Sequence, residues 1–588
     1  MTTNEKLDAL RSAMREAGID VYLIPSQDAH QSEYVADYWR ARAWASGFTG
    51  SAGTLVITQE KACLWADGRY HIQAEKQVAG SRIELFKDGL AGVPTLNTWL
   101  AENVAAGSVV GFDGRTVSHD AFERYCRLMP EASFRVADLV SGVWTDRPAL
   151  PKAPVEEMSL AFAGESRADK LGRVRSHLNG KKADYLMLAS LDDIAWTLNL
   201  RGGDILHTPV FYAYLLVGTE KAWLFAEEEK FDETVRASLA ADGVELCPYD
   251  SLPALLPELS AGTVVLAPGR INETLYKAVP SGWKILPEPD CTTYMKACKN
   301  PVERQNIREA HVKDGVAMVR FIKWLKEHVG KPEPVDEWEA GEYLDHLRLA
   351  TEGCFDLSFG TIAGYMENGA SAHYSAKKGE AAVLRPEGMI VVDSGGQYRQ
   401  GTTDITRTIV LGPVTDRMKF AYTLVLKGHL ALARAKFLEK TSGHYLDILA
   451  RQFLWQHGMD YRHGTGHGVG YVLSVHEGPQ NIGRGPIQVP LEVGMVISDE
   501  PGYYPEGEFG VRIENLVMVK EAETTVDGRF LEFETLALCP YDKAAIDWSL
   551  ITPEEKAQID AYHTRVYETL APYLSEEERT WLALETKA

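Results

Sequence analysis

Hydrophobic and polar positions along the 588-residue chain change rhythm near its middle. Over the first half, short apolar runs alternate with polar, helix-like stretches. A polar helix pattern ends near Gly18, VYLIP (21–25) follows as a strand, and the loop DAHQSEY (28–34) comes next. FTGSAGTLVIT and ACLWADGRY then read as two strands around glycine turns. The proline-rich TDRPALPKAP (145–154) reads as a linker. After it the pattern restarts, with a helix over roughly 166–180 and then ADYLMLAS, DDIAWTLNLRGGD, VFYAYLLVG and KAWLFAEEEKF. IDVYLIPSQDAH matches ADYLMLASLDDI, and TLVITQEKACLWADGRY matches YLLVGTEKAWLFAEEEKF. One α/β domain is therefore expected twice, in too few copies for a solenoid.

From about residue 290 the order becomes helix, helix, strand, strand, and it occurs twice. A long amphipathic helix follows Pro301, and VDEWEAGEYLDHLRLATEG reads as a second. A strand hairpin is expected over 389–411, helices over 415–437 and 443–457, and a second hairpin over 495–518. Thr415 and Asp416 suit an N-cap and Gly458 suits a helix stop. Residues beyond about 551 read as helices packed back on this part. The expected domains are 1–152, 153–292 and 293–588.

The two hairpins echo one another. GMIVVD at Gly388 and GMVISDE at Gly494 each place a glycine, a short buried strand and then an acid. Asp393 is followed by Asp404 on the next run, where alternation puts Thr406 on the face of Asp404. Glu500 is followed by Glu514 in VRIENLVMV, read as one strand with Arg512 and Glu514 on one face and Val511, Ile513 and Val517 on the other. His467 sits between the hairpins in HGTGHGVG. Desolvating unpaired carboxylates is costly, so several buried together ask for a metal cluster. Four oxygen donors and one nitrogen suit manganese, cobalt or zinc. The donor count fits two ions about 3.5–4 Å apart with bridging carboxylates. Taken singly, each residue is as well read as a turn acid or a loop histidine; the five in this order, with these glycines, are not.

The ordered set Asp393, Asp404, His467, Glu500 and Glu514 resembles the pita-bread metallopeptidases, a family that includes methionine aminopeptidase, prolidase and aminopeptidase P. The wording SFGTIAGYMENGASAHY, HGTGHGVG, SDEPGYY and FGVRIEN resembles the three-domain Xaa-Pro aminopeptidases over the whole chain. That resemblance implies an α/β (α+β) fold, with two related creatinase-like domains followed by a pita-bread catalytic domain. It implies a metal-dependent hydrolase that releases the first residue of peptides with proline second, through attack of a metal-bridged water or hydroxide. Two divalent ions are implied, manganese first, with zinc or cobalt as alternatives. Glu500 would both bind metal and take the proton. His373 and His463 would contact substrate near the scissile carbonyl, and His373 with a metal would stabilise the oxyanion. His476 would assist proton transfer or bind the peptide backbone, and Arg512 would hold the acids in place. Prolidase and a catalytically inactive peptide-binding relative are the alternatives. The doubled N-terminal domain speaks against the first, and the complete ligand set against the second. The same ligand set argues against a creatine-type amidinohydrolase. VHEGP is no HExxH zinc motif, because its second histidine is missing.

Arg201, in LNLRGGD, reads either as a surface-loop arginine or as a loop residue reaching the catalytic pocket to bind substrate. Asp28, His30 and Glu33 have a loop's spacing and read better as shaping the substrate entrance than as ligands. The formal charge of −22 argues against nucleic acid and anionic membrane as partners. Seven scattered cysteines without a CxxC pair fit reduced thiols. Neither an apolar signal core nor a run of about 18 apolar residues is present. A cytoplasmic homodimer is expected.

Overall fold

The computed structural model describes residues 1–485 and 488–587. The chain forms two compact units, Met1–Leu160 with Glu165–Thr293, and Ala161–Gly164 with Tyr294–Ala588.

The first unit contains the sequence repeat as two six-stranded sheets. The first sheet is built from β1 (Val21–Pro25), β2 (Thr54–Thr58), β3 (Ala62–Ala66), β4 (Glu84–Lys87), β5 (Val109–Phe112) and β6 (Ser133–Val136). Its order is β4-β3-β2-β1-β5-β6. The second is built from β7 (Tyr185–Leu188), β8 (Ala213–Gly218), β9 (Ala222–Ala226), β10 (Val244–Cys247), β11 (Thr263–Leu266) and β12 (Lys284–Pro287). Its order, β10-β9-β8-β7-β11-β12, is the same strand for strand. In both sheets the central hairpins are antiparallel and the outer pairs parallel. The stretch TDRPALPKAP contains no helix or strand.

DAHQSEY joins the two copies inside this unit. His30 is buried, with Nδ1 2.8 Å from the Ala189 carbonyl and Nε2 2.7 Å from the Tyr249 hydroxyl. Asp28 accepts from the Tyr212 hydroxyl at 3.1 Å, and Asn272 donates to the Ala29 carbonyl at 2.9 Å. Asp28 to His30 thus form a buried polar plug between the repeats, while Glu33 is exposed.

In the second unit, Pro301–His328 is a 28-residue helix started by Asn300, whose side chain accepts from the backbone of Val302 and Glu303. Glu337–Leu349 follows behind an Asp336 cap. The first hairpin pairs Met389–Ser394 with Ile405–Val410, with Asp393 opposite Thr406, and Ile362–Tyr365 lies on its other side. Thr415 caps Asp416–Ala433 as expected. That helix stops short of 437. Lys436–Leu438 instead pairs with Gly528–Thr535, because Phe437 points into the core opposite Leu531. The second hairpin pairs Val496–Asp499 with Asn515–Thr525, within a six-stranded sheet that also holds Gly466–Gly468.

VRIENLVMV is not one strand. Val511–Arg512 pairs with Gly502–Tyr503, and a separate strand begins at Asn515. Between them the Glu514 amide donates to the Thr406 carbonyl at 3.1 Å, which turns the segment towards the first hairpin. All four residues Val511 to Glu514 are buried, so alternation does not sort them into inner and outer faces. The tail helices Pro553–Leu570 and Glu576–Thr586 bury Ile559, Val566, Leu570 and Leu582 in the same core as Val425 and Ile513.

Candidate active site

The four acids and His467 converge where the two hairpins face each other. Asp393 lies at the end of its strand, Asp404 just before the next, Glu500 just after Val496–Asp499, and Glu514 just before Asn515. Ligand atoms of Asp404, His467 and Glu514 lie within 4.8 Å of one another. His467 Nε2 is 3.5 Å from both Asp404 Oδ2 and Glu500 Oε1. Its Nδ1 is 2.9 Å from the Gly468 carbonyl, which can only accept, so Nδ1 carries a proton and Nε2 is the nitrogen that faces the acids. Gly466 permits this approach: a Cβ there would lie 1.9 Å from the Ser498 carbonyl.

Arg512 ties the halves together. Its guanidinium donates to Asp393 Oδ2 at 2.7 Å, to Thr406 Oγ1 at 3.1 Å and to the Tyr504 hydroxyl at 2.7 Å. The Thr406 hydroxyl in turn donates to Glu514 Oε2 at 2.7 Å. Arg512 thus meets Asp393 directly and Glu514 only through Thr406, although Glu514 is the nearer acid in sequence.

Burial sets the electrostatics. It pushes Asp404 and Glu514 above the usual carboxylate range, and the neighbouring acids push the same way. Burial raises Glu500 to about 7, against the opposing pull of His467 and Arg512. Burial alone would discharge His467, but Asp404 and Glu500 outweigh it and bring the imidazole to about 9. Asp393 Oδ1 and Asp404 Oδ1 are buried and accept no hydrogen bond from any described residue. One arginine and one imidazole do not balance four acids, and two carboxylate oxygens still lack a partner. This donor set fits hard or borderline divalent cations.

The other histidines divide. The His476 ring stands edge-on to His467, centroids 4.3 Å apart. His463 Nδ1 is 3.9 Å from Glu500 Oε2, and its Nε2 is 2.9 Å from the Tyr504 hydroxyl. His373 follows Ala372, whose carbonyl accepts from Arg512 at 3.2 Å. Arg201 belongs to the other unit. It is buried on the short strand Leu200–Arg201 and donates to the carbonyls of Ala195 and Leu200 at 3.1 and 2.9 Å. It is therefore not a surface-loop arginine.

Tyr504 was not singled out by the sequence, yet it bridges Arg512 and His463. Its place in SDEPGYY, two residues after Gly502, was the available signal. Burial pushes its hydroxyl up to about 12, which keeps it protonated as a donor.

The description "Metallopeptidase family M24" matches residues 305–521, and the C-terminal region of the same peptidases matches 529–588. "Creatinase/Prolidase N-terminal domain" matches twice, over 6–141 and 146–303. The chain is 41% identical to a probable Xaa-Pro aminopeptidase P of Pyrenophora teres, covering 99% of this chain and 92% of that one. It is 39% identical to aminopeptidase P2 of Arabidopsis thaliana, over 98% and 87% respectively. Among solved structures, an X-prolyl aminopeptidase from Caenorhabditis elegans, described as a cytosolic enzyme with a di-nuclear active site, superposes with a TM-score of 0.96. It is 34% identical, and each chain is fully covered. The fold and the acid cluster are thus those of a family M24 metallopeptidase with paired creatinase-type N-terminal domains. Within that family, the chain belongs to the Xaa-Pro aminopeptidases P.

Proposed function

We propose that this protein releases the N-terminal residue from peptides whose second residue is proline. The single observation that carries the reading is the convergence of Asp393, Asp404, His467, Glu500 and Glu514, with two buried carboxylate oxygens left without a hydrogen bond. These five residues would hold two divalent ions, with manganese the expected pair. The ions, when bound, supply Lewis acidity that polarises the scissile carbonyl and acidifies water.

The chain's own groups do the rest. Glu500 accepts the proton of the attacking water and can return it to the leaving amine. Arg512 holds Asp393 in place, and through Thr406 it holds Glu514. His463, beside Glu500 and steadied by Tyr504, and His476, against His467, would orient the peptide. His373 donates to the oxyanion.

The preference for proline is supported by the relatives' shared name over their full length. A cytoplasmic location is supported by the description of the nematode enzyme, and no helix among the described residues is long and apolar enough to cross a membrane. A homodimer is part of the same reading and is checked by light scattering. The test of specificity is Arg-Pro-Pro against Arg-Ala-Ala on one preparation. Arginine released from the first alone, and lost on chelation, supports the reading; equal release from both contradicts it.

A further inference from the structure

Glu337 lies outside every motif that marks the site, on the first turn of Glu337–Leu349, and it is fully buried. Five hydrogen bonds end on its carboxylate. Oε1 accepts from the Tyr365 amide at 2.7 Å and from Asn368 Nδ2 at 3.0 Å. Oε2 accepts from the Tyr374 hydroxyl at 2.8 Å, from the Ala382 amide at 2.9 Å and from Asn368 Nδ2 at 3.1 Å. The Glu337 amide donates back to the Ala382 carbonyl at 3.1 Å.

These partners are spread along one segment. Tyr365 ends the strand that pairs with Met389–Ser394, in a register that sets Ile362 opposite Asp393. From there the chain leaves the sheet, passes His373 and returns at Ala382. One carboxylate therefore holds the start, the middle and the end of the excursion. A second pin comes from the site itself, since Arg512 donates to the Ala372 carbonyl while holding Asp393. His373 lies between the two pins, with Ala372 on one side and Tyr374 on the other. A third restraint is steric: a Cβ on Gly510 would lie 1.8 Å from the Gly369 carbonyl, so the segment sits against the strand leading to Arg512.

We propose that Glu337 is a positioning residue for the reaction, fixing the Tyr365–Ala382 segment so that His373 is held at a set height over the acid cluster. The inference rests on the role given to His373 above. A carboxylate is needed because all four partner groups are donors; an amide in its place would turn an NH2 group towards some of them. Neither Glu337 nor Tyr374 touches any of the five acid-cluster residues through a described hydrogen bond, so the effect falls on His373 and not on metal retention.

The test uses the manganese-loaded full chain and Arg-Pro-Pro. E337Q is expected to lower kcat about 100-fold, as loss of charge-assisted hydrogen bonds implies, and Y374F about fivefold. Metal affinity, read by chelator competition, stays at the wild-type value in both. In a double-mutant cycle with H373A, E337Q/H373A and Y374F/H373A are no slower than H373A alone. Amides of 371–382 exchange hydrogen faster in Y374F, while those of 389–394 do not. If E337Q fails to fold, the Y374F arm decides. Losses that multiply in the cycle, an unchanged Y374F, or a fall in metal affinity matching the fall in kcat would overturn the proposal. A wild-type protein that cleaves no peptide would count against the proposed function instead, and the exchange rates would then decide whether Glu337 and Tyr374 fix the segment.

Discussion

On the first hairpin, Asp393 and Asp404 flank a turn whose reverse side rests on a buried ion pair. Arg348 donates to Asp314 at 2.8 Å, and Asp314 also accepts from Tyr398 at 3.0 Å and from Thr403, next to Asp404, at 2.9 Å. On the second hairpin, the Glu500 amide donates to the Thr465 carbonyl at 2.8 Å and the Thr465 hydroxyl donates to Asp447, which pairs with buried Arg451 at 2.7 Å, whereas Glu514 is backed by a network of hydrogen bonds. His429 lies 3.1 Å from Asp499 and 2.9 Å from the Tyr541 hydroxyl, and burial pushes the Asp499 carboxyl up. Arg407 spends its charge on the carbonyls of Thr406, Glu514, Cys539 and Pro540 and on the side-chain oxygen of Asn515. The same device, a glycine, a strand and an acid, is thus backed in each half by a buried ion pair reached through a threonine, Asp314–Arg348 through Thr403 and Asp447–Arg451 through Thr465, while Glu514 relies on dispersed hydrogen bonds. The front is shared: Arg512 of the second half holds Asp393 of the first, and Thr406 of the first holds Glu514 of the second.

The comparison breaks most sharply at Glu500, the acid given a second duty. E500Q should lower kcat about 1000-fold or more, the upper part of the range for a general base, while metal analysis still finds bound ions. Turnover near wild type with metal present would remove the proton role and make the two halves equivalent.

Next in size is stability. Arg348→Met leaves Asp314 buried without its cation and should destabilise by about 3–5 kcal/mol in urea unfolding. Asn515→Ala on the other hairpin removes a hydrogen-bonding amide and should destabilise by about 1–3 kcal/mol. Equal losses would mean that the ion pair behind Asp404 adds no more than the hydrogen bonds around Glu514.

Both halves depend on one hydroxyl. Thr406→Val removes the atom that accepts from Arg512 and donates to Glu514, and should weaken metal binding about 10-fold, as loss of an outer-shell partner does. Isothermal titration with manganese checks it; unchanged affinity would mean that Arg512 needs no relay.

The smallest effect is on the pH dependence of the metal-free protein. Glu500 is raised from 4.5 to about 7 and His467 from 6.5 to about 9. Both folded values lie above the unfolded ones. Their contribution to stability is therefore full below pH 4.5 and 6.5 respectively, and is lost as the pH rises through 7 and then 9. Metal-free protein should lose Tm between pH 5 and 9, and the gain on adding manganese should widen over that range, since the ligands must be deprotonated. A metal-induced gain that shrinks as the pH rises would contradict these assignments.

The hairpins, the duplicated α/β unit and the five cluster residues were legible in the sequence because each rests on local pattern. Period-two apolar runs ending on acids, glycines where strands approach, and two similar segments are all short-range signals. What stayed hidden is long-range. Asp314 and Arg348 each look like an ordinary helix charge, and only the fold brings them together behind Asp404. Tyr504 and Glu337 act through partners many residues away. Val511 to Glu514 misled the strand reading because burial on all sides erases alternation. Residues 436–438 misled the helix reading because Phe437 found a partner in Leu531, a tertiary gain that outweighed local helix propensity.

The most direct test of the central claim measures metal content and cleavage together, with Arg-Pro-Pro and Arg-Pro assayed on one preparation before and after chelation. The account predicts arginine released from the tripeptide, loss of activity as about two equivalents of metal are removed, and recovery on adding manganese. Cleavage of the dipeptide alone, or tripeptide cleavage that survives complete removal of metal, would contradict it.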